Sequence, residues 1–129
     1  MSEPAAKEGD KVAATDTHMV IPASGGPPVP TPMPFSGPLS SNLSPNVIIE
    51  HLHAATEGSV ANNTPSHIAV GGSFQKPPSN KGTVQSGSGT VLINGKQAAR
   101  NADPAVTCND PVDLAIGTVV AKSTVLMGG

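Results

Sequence analysis

The chain has 129 residues, with 14 Gly, 14 Pro, two Phe and neither Trp nor Tyr. This length predicts a single domain over residues 1–129, and the composition leaves Val, Ile, Leu and Ala to form a thin core. The formal charge is −2 and only seven residues are Lys or Arg, which argues against binding to nucleic acid or acidic lipid. No apolar run approaches the roughly 20 residues that span a bilayer, and the N-terminus lacks the basic start of a secretory signal, so we expect a cytosolic protein.

Residues 1–8 are polar, and the sequence predicts a frayed terminus there. The first entry segment, Gly9 to Val20, brings His18 into a short apolar strand. From Pro22 to Pro38, proline stands at nearly every second or third position, so this stretch cannot donate regularly to a sheet. We therefore predict a Pro-rich loop over residues 22–38, extended or polyproline-like, with Met33 and Phe35 as its anchors.

The middle of the chain predicts a hairpin followed by a second loop. Leu39 to Ser59 contains the outgoing strand Val47-Ile48-Ile49, and a turn then ends on His67. The loop at residues 71–81 is rich in Gly, Pro and Ser, and we expect Phe74 to pack inward from it.

A clearer hairpin lies between Gly82 and Cys108. Val91-Leu92-Ile93 is a short aliphatic run, and Asn94-Gly95 is the strongest short turn signal for a β-hairpin. Ala98 to Arg100 then returns antiparallel to the first run.

This hairpin recurs along the chain. A shift of 44 residues superposes five identical residues without a gap: Val47, Ile49, Ala54, Ala55 and Ala61 fall on Val91, Ile93, Ala98, Ala99 and Ala105. A third, shorter copy is predicted between Gly117 and Met127, where Thr-Val-Leu-Met repeats Thr-Val-Leu-Ile. Three quasi-repeats predict a pseudo-threefold arrangement.

A second triplication follows in the same phase. Gly9-Asp10 precedes His18 by eight residues, and Gly58-Ser59 precedes His67 by the same step. In the third copy, the eight-residue step from Ala102-Asp103 ends on Pro111, and Cys108 lies three residues before that position. Helical periodicity is weak throughout, so the predicted class is all-β, with three quasi-repeated β-hairpins and long Pro/Gly-rich loops.

These positions suggest a metal site. A fold that arranges three repeats around an axis brings His18, His67 and Cys108 towards one point, and imidazole and thiolate ligands suit a structural Zn²⁺ ion. The alternative is two solvated histidines and a buried cysteine that acts as a small hydrophobe. The shared phase of the repeats favours the metal.

The sequence does not decide which group is the fourth ligand of the metal. His53 is favoured slightly over His51, although both fall on a hairpin turn. Asp16 or Asp110 offers a carboxylate that either binds the metal or orients an imidazole, and water is a further alternative.

The phrase Ile93-Asn-Gly-Lys-Gln-Ala-Ala-Arg100, the repeated hairpins and the His/Cys positions resemble the PAAR-repeat proteins, with Gln97 in place of the proline. The resemblance covers nearly the whole chain. It implies a small cone-shaped domain that binds one metal ion through histidines and a cysteine, and that caps a trimeric β-helical (VgrG-like) spike of a contractile injection machine. Such machines include type VI secretion systems, phage tails and related particles.

The resemblance also implies how the domain is used. It predicts one copy per spike trimer, transient contact with a target membrane, and translocation from the cytosol with the particle. It also allows effectors carried through separate contacts, which the sequence does not identify. We expect no attached effector extension in this chain. The alternative is a free-standing zinc-binding domain or metallohydrolase, which is disfavoured because a thin core leaves little room for a substrate cleft.

Overall fold

A computed structural model of the chain describes residues 2–129. Over these residues the chain is all-β, as predicted, and contains no helix. This part of the chain accordingly has no helix that is long and apolar enough to cross a membrane. The strands in chain order are β1 (Glu3–Pro4), β2 (Lys11–Pro22), β3 (Val29–Ser41), β4 (Ile48–Ile49), β5 (Leu52–His53), β6 (Val60–Asn62), β7 (Gly72–Phe74), β8 (Lys81–Val84), β9 (Leu92–Ile93), β10 (Lys96–Gln97), β11 (Pro104–Thr107), β12 (Leu114–Val120) and β13 (Leu126–Met127).

Six of these strands close into a small barrel. Their neighbour order is β12, β11, β8, β6, β3 and β2, and β2 pairs with β12 to complete the ring. The interior holds mainly aliphatic side chains, and Phe35, Leu39 and His18 are the largest side chains that are fully buried among the described residues. The core is therefore built from the residue types that the composition predicts.

The prediction of a loop at residues 22–38 is wrong for most of that range, because a long strand begins at Val29. Strand β3 pairs antiparallel with β2 without interruption, from Val20 opposite Val29 to Lys11 opposite Pro38. Met33 and Phe35 are buried, as predicted for the anchors of this segment.

Proline is tolerated in β3 because of its position in the ladder. The N–H and C=O groups of Ser36 point away from β2. Every second residue of the strand shares this orientation, so it also applies to Pro30, Pro32, Pro34 and Pro38. The N–H of Ser36 donates to Asn63 Oδ1 (2.9 Å), and its carbonyl accepts from Thr64 N (3.0 Å). The prolines therefore lack only N–H groups that β2 does not use, and their rings lie on the exposed face.

The predicted second loop at residues 71–81 is interrupted by a short strand. Gly72–Phe74 forms β7, which pairs with the far end of β2 and places Phe74 opposite Val20. Phe74 is half-buried, and its ring centroid lies 5.8 Å from that of His18. Three residues are too few to show a strand period in sequence, so only the packing reveals β7.

Both predicted full hairpins are present. Strands β4 and β5 pair around Glu50-His51, and strands β9 and β10 pair around Asn94-Gly95. Both central residues have positive φ in each turn, 49° and 71° in the first and 54° and 81° in the second. This geometry matches the right-handed twist of paired strands.

The third hairpin differs from the prediction. Gly117 to Val120 belongs to the barrel strand β12, and Leu126–Met127 pairs instead with Glu3–Pro4. The prediction of a frayed N-terminus is also wrong for the described residues, because Ala5 and Ala6 are fully buried. The third pair thus forms between strands near opposite ends of the chain.

A repeat that the sequence comparison missed explains this closure. Pro4-Ala5-Ala6-Lys7 occupies the place of His53-Ala-Ala-Thr56 and Gln97-Ala-Ala-Arg100, and the bridges Ala5 to Arg100, Lys7 to Ala54 and Thr56 to Ala98 link the three copies. The first copy lies 49 residues before the second, whereas the second lies 44 before the third. A single shift therefore cannot align all three.

The three alanine pairs meet around one axis. Ala6 N donates to Ala99 O (2.9 Å), Ala99 N donates to Ala55 O (3.0 Å), and Ala55 N donates to Ala6 O (3.0 Å). This cyclic set of backbone bonds confirms the predicted pseudo-threefold arrangement. We call the end of the domain that holds it and the three two-stranded ladders the base.

Each alanine pair is followed by the same turn. In each copy a side chain accepts a hydrogen bond from the backbone N–H three residues earlier: Asp10 from Lys7 (3.1 Å), Ser59 from Thr56 (2.9 Å) and Asp103 from Arg100 (2.7 Å). The residue before each acceptor has positive φ: Gly9, Gly58 and Ala102. The turns feed β2, β6 and β11, which confirms the second triplication predicted from sequence.

Candidate metal centre

The structure brings four potential ligands together in one cluster. Asp16 and His18 are two residues apart on β2, so their side chains point to the same face of the strand. Cys108 directly follows β11, and His67 lies in the connection between β6 and β7. The ligand atoms of these four residues all lie within 4.8 Å of one another.

The two distances from the sulfur of Cys108 suit a tetrahedral ion. Cys108 Sγ lies 3.5 Å from Asp16 Oδ2 and 3.6 Å from His18 Nε2, and Asp16 Oδ2 lies 2.8 Å from His67 Nε2. A tetrahedral Zn²⁺ with ordinary bond lengths separates sulfur from nitrogen or oxygen ligands by about 3.5 Å, and nitrogen from oxygen by about 3.3 Å. The sulfur distances match, and the Asp16–His67 distance is shorter.

The charge of the cluster also favours a cation. The Asp16 carboxylate is fully buried, and within residues 2–129 it forms no ion pair with Lys or Arg. Its recorded ion pair is with His67, whose side chain is only 2 % exposed. A buried carboxylate is costly without compensation, and a divalent ion held jointly with His67 and Cys108 would supply it.

His18 is oriented for ligation through Nε2. Its Nδ1 is buried and has no hydrogen-bond partner among the described residues, but it lies 3.6 Å from Asp110 Oδ2. Asp110 is itself held by Met19 N, which donates to Oδ2 (2.8 Å). The sequence analysis named Asp110 as either a ligand or a group that orients an imidazole. It lies behind the ring of His18 and not among the four ligand atoms.

His67 is held by two asparagines. Its backbone N–H donates to Asn80 Oδ1 (2.8 Å), and Asn63 Nδ2 lies 3.2 Å from its Nδ1. Asn63 also accepts from Ser36 N, which fixes this loop to β3. These contacts direct Nε2 of His67 towards Asp16.

Cys108 is buried, and this burial raises the pKa of its thiol above the ordinary value. A thiol in an apolar pocket resists ionisation, whereas a bound divalent ion stabilises the thiolate that ligates it. Carboxylate, imidazole and thiolate are all common ligands of Zn²⁺, so this donor set fits the predicted ion.

The slight preference for His53 as fourth ligand is not supported by its position. His53 is exposed on β5, and its Nδ1 lies 2.8 Å from the carbonyl of Ser44. His51 is exposed in the adjoining turn. His18 lies seven positions after Lys11 along β2, roughly 23 Å of extended strand, which places the base hairpins far from the cluster. Asp16 occupies the fourth place instead.

Sequence reasoning missed the residues that hold Asp16. Thr107 Oγ1 donates to Asp16 Oδ1 (2.6 Å), and Asn109 Nδ2 lies 3.4 Å from the same oxygen. Both residues flank Cys108 in the sequence, which is the one signal that pointed to them.

The fold and the cluster together define a small all-β domain with a threefold base at one end and a buried Asp-His-His-Cys set away from it. Residues 74–129, a little under half of the chain, match the family model of the PAAR motif, which confirms the predicted resemblance to PAAR-repeat proteins. Comparison with curated proteins gave no match. The PAAR motif suggests a spike-tip role in a contractile injection system, implies a spike partner and is typical of structural proteins rather than enzymes.

Proposed function

We propose that this protein caps and sharpens the trimeric VgrG-like spike of a contractile injection machine, with one copy bound per spike trimer. Support comes from the PAAR motif and from the base, whose three ladders are related by a pseudo-threefold axis. A single chain with this symmetry offers a similar surface to each subunit of a true trimer.

The observation that carries the proposal is a set of exposed aliphatic side chains at equivalent positions of the three ladders. Ile48, Leu92 and Leu126 are 52 %, 62 % and 59 % exposed. Each precedes a residue that packs into the base, where Ile49 and Ile93 are buried and Met127 packs against them. An exposed large aliphatic residue repeated three times around one axis marks a contact surface rather than scattered surface variation.

In each ladder of the base one strand already uses its outer carbonyl, since those of Pro4, His53 and Gln97 accept from the backbone N–H groups of Asn101, Glu8 and Glu57. Among the described residues, the edges left for a partner are therefore those of β4, β9 and β13. These edges suit strand addition by a β-helical partner, with Ile48, Leu92 and Leu126 buried between the two proteins. Because this contact is mainly apolar and through the backbone, its affinity should change little between low and moderate salt.

The proposed cofactor is one structural Zn²⁺ ion held by Asp16, His18, His67 and Cys108. Bound there, the ion would cross-link β2, the loop that carries His67 and the end of β11, three segments that otherwise share a thin core. Structural zinc contributes on the order of 10 kcal/mol to small domains, so this link would resist shear where apolar burial is least.

In use, the domain is made in the cytosol, is assembled on the spike, and is driven through a target membrane and translocated with the particle. Effectors, where present, would be carried through contacts separate from the base. The alternative is a free-standing zinc domain or metallohydrolase. Binding to the spike would argue against it, and absence of binding would favour it.

Native mass spectrometry of the protein mixed with its cognate spike tests the proposal. We expect a complex of one chain with three spike subunits. A complex of three chains with three subunits, or no complex with the cognate spike, would overturn the tip assignment.

A further inference from the structure

The two oxygens of the Asp16 carboxylate have different surroundings. Oδ2 faces the cluster, where it meets His67 and Cys108. Oδ1 accepts a hydrogen bond from Thr107 Oγ1 over 2.6 Å and a longer one from Asn109 Nδ2 over 3.4 Å. Asp16 and Thr107 are both fully buried, so water does not compete for either oxygen.

The hydroxyl of Thr107 is itself oriented. Asn109 Nδ2 lies 3.4 Å from Thr107 Oγ1 and 3.2 Å from the carbonyl of Thr107, and Asn109 Oδ1 accepts from Thr17 N (2.8 Å). The amide donates towards the lone pairs of Oγ1, which leaves the hydroxyl hydrogen to point at Asp16. A short O–H···O⁻ bond of this kind is stronger than one between neutral groups.

Thr107 also connects two members of the cluster. It pairs with Gly82 in β8 and with Leu114 in β12, which fixes its backbone, and Cys108 is the next residue. The same peptide segment therefore places the sulfur of Cys108 and restrains the carboxylate of Asp16.

We infer that Thr107 is a positioning residue, which occupies Oδ1 of Asp16 so that the carboxylate offers a single oxygen, Oδ2, to the bound metal. This inference rests on the proposed metal site and deepens it. Restraint of this kind keeps the number of ligand atoms at four, the number typical of structural zinc. Loss of a group that orients a ligand typically weakens metal binding by about 10- to 100-fold.

The test compares Thr107→Val, which replaces the hydroxyl with a methyl group, with Thr107→Ser, which keeps it. Thr83→Val is the matched control, because Thr83 lies on neighbouring β8 and its hydroxyl makes no hydrogen bond within the described chain. Zinc affinity is measured by chelator competition. The Co²⁺-loaded proteins report coordination number through their visible bands, which are strong for four ligand atoms and weaker for five.

We expect Thr107→Val to bind zinc about 10- to 100-fold more weakly and to show weakened Co²⁺ bands, as Asp16 turns to offer both oxygens. Thr107→Ser and Thr83→Val should keep the wild-type affinity and spectrum. Wild-type affinity and spectrum in Thr107→Val would overturn the positioning role while leaving the metal site intact. Failure of the wild-type protein itself to bind zinc or Co²⁺ would instead overturn the metal proposal.

A measurement on the wild-type protein keeps the inference testable if Thr107→Val does not fold. Infrared difference spectra between the zinc-loaded and metal-free protein, with ¹³C-labelled aspartate, report the carboxylate that changes on binding. We expect the wide separation of the two carboxylate stretches that one-oxygen ligation gives. A narrow separation, which is typical of ligation through both oxygens, would contradict the role of Thr107.

Discussion

The backbone N–H of Ala6 donates to the carbonyl of Ala99 over 2.9 Å, and both side chains are buried at the axis of the base. Ala55 completes the ring, so three methyl groups share one small space. Larger side chains have no room here because the backbones approach each other directly.

We therefore expect Ala99→Leu to destabilise the domain by about 1–3 kcal/mol, the usual cost of overpacking a core. Denaturant unfolding measures this change. Ala115→Leu on the exposed part of β12 is the control and should leave the free energy of unfolding nearly unchanged. Equal stability of the two variants would contradict the packing described for the axis.

The second prediction concerns the metal. Purified protein should contain about one equivalent of zinc, and chelation should lower its melting temperature markedly, because structural zinc contributes folding free energy directly. Cys108→Ala should lose the metal, whereas His53→Ala should retain it, since His53 lies outside the cluster. Elemental analysis and thermal melts check both; an unchanged melting temperature after metal removal would refute the site.

The third prediction isolates backbone strain in a base hairpin. Gly95 has φ +81°, and a Cβ added there would meet nothing within 4 Å, so Gly95→Val changes conformational preference without a clash. We expect a loss of about 1 kcal/mol or more. Gly89→Val is matched, because Gly89 is also unobstructed but has no positive φ. A loss of equal size at both positions would argue against the turn geometry.

The fourth prediction is a pH dependence of the metal-free protein. Burial raises the pKa of the Cys108 thiol in the folded state, so the folded protein holds this proton more tightly than the unfolded chain. The contribution of the Cys108 thiol to the free energy of unfolding is fully present below the unfolded thiol pKa of about 8.5. It is lost as pH rises through the higher folded pKa. Urea unfolding of metal-free protein should therefore show falling stability in alkaline buffer. Cys108→Ala should lack this component, and an identical slope in that variant would assign it to other groups.

The fifth prediction tests the docking surface. Leu92→Asp places a charge at an exposed position of the base, so it should leave the fold intact and weaken spike binding strongly. Val70→Asp is the control, because Val70 is 87 % exposed on the loop that follows His67. Titration with the spike protein compares the two; similar affinities would move the binding surface away from the base.

Sequence was informative wherever the signal was local and repeated. The Asn94-Gly95 turn and its counterpart at Glu50-His51 are closed by residues adjacent in the chain, so their hairpins could be predicted. His18 and His67 share a phase of the repeat, and Cys108 follows the third turn. Because the fold arranges the repeats around an axis, these three residues come together in one cluster.

Partners that are distant in the chain were settled only by the tertiary structure. The prolines of β3 predict a loop in isolation, yet their alternation matches a strand that uses every second N–H for one neighbour, and β2 is that neighbour from Val29 to Pro38. Pro4 and Leu126 form the third ladder, and although Thr124 to Met127 resembles a hairpin strand in sequence, its partner near the N-terminus does not. Short strands of this kind gain stability from packing rather than from propensity.

The fourth position of the cluster shows the same division. Sequence alone left His53, His51, Asp16 and Asp110 open, because each lies near a ligand or a hairpin in the repeat. Strand geometry decides among them. Asp16 and His18 are two residues apart on β2 and so share a face, whereas His51 and His53 belong to a base hairpin far from His18. Asp16 stands beside His18 because β2 is extended at that point, a conformation stabilised by its long pairing with β3.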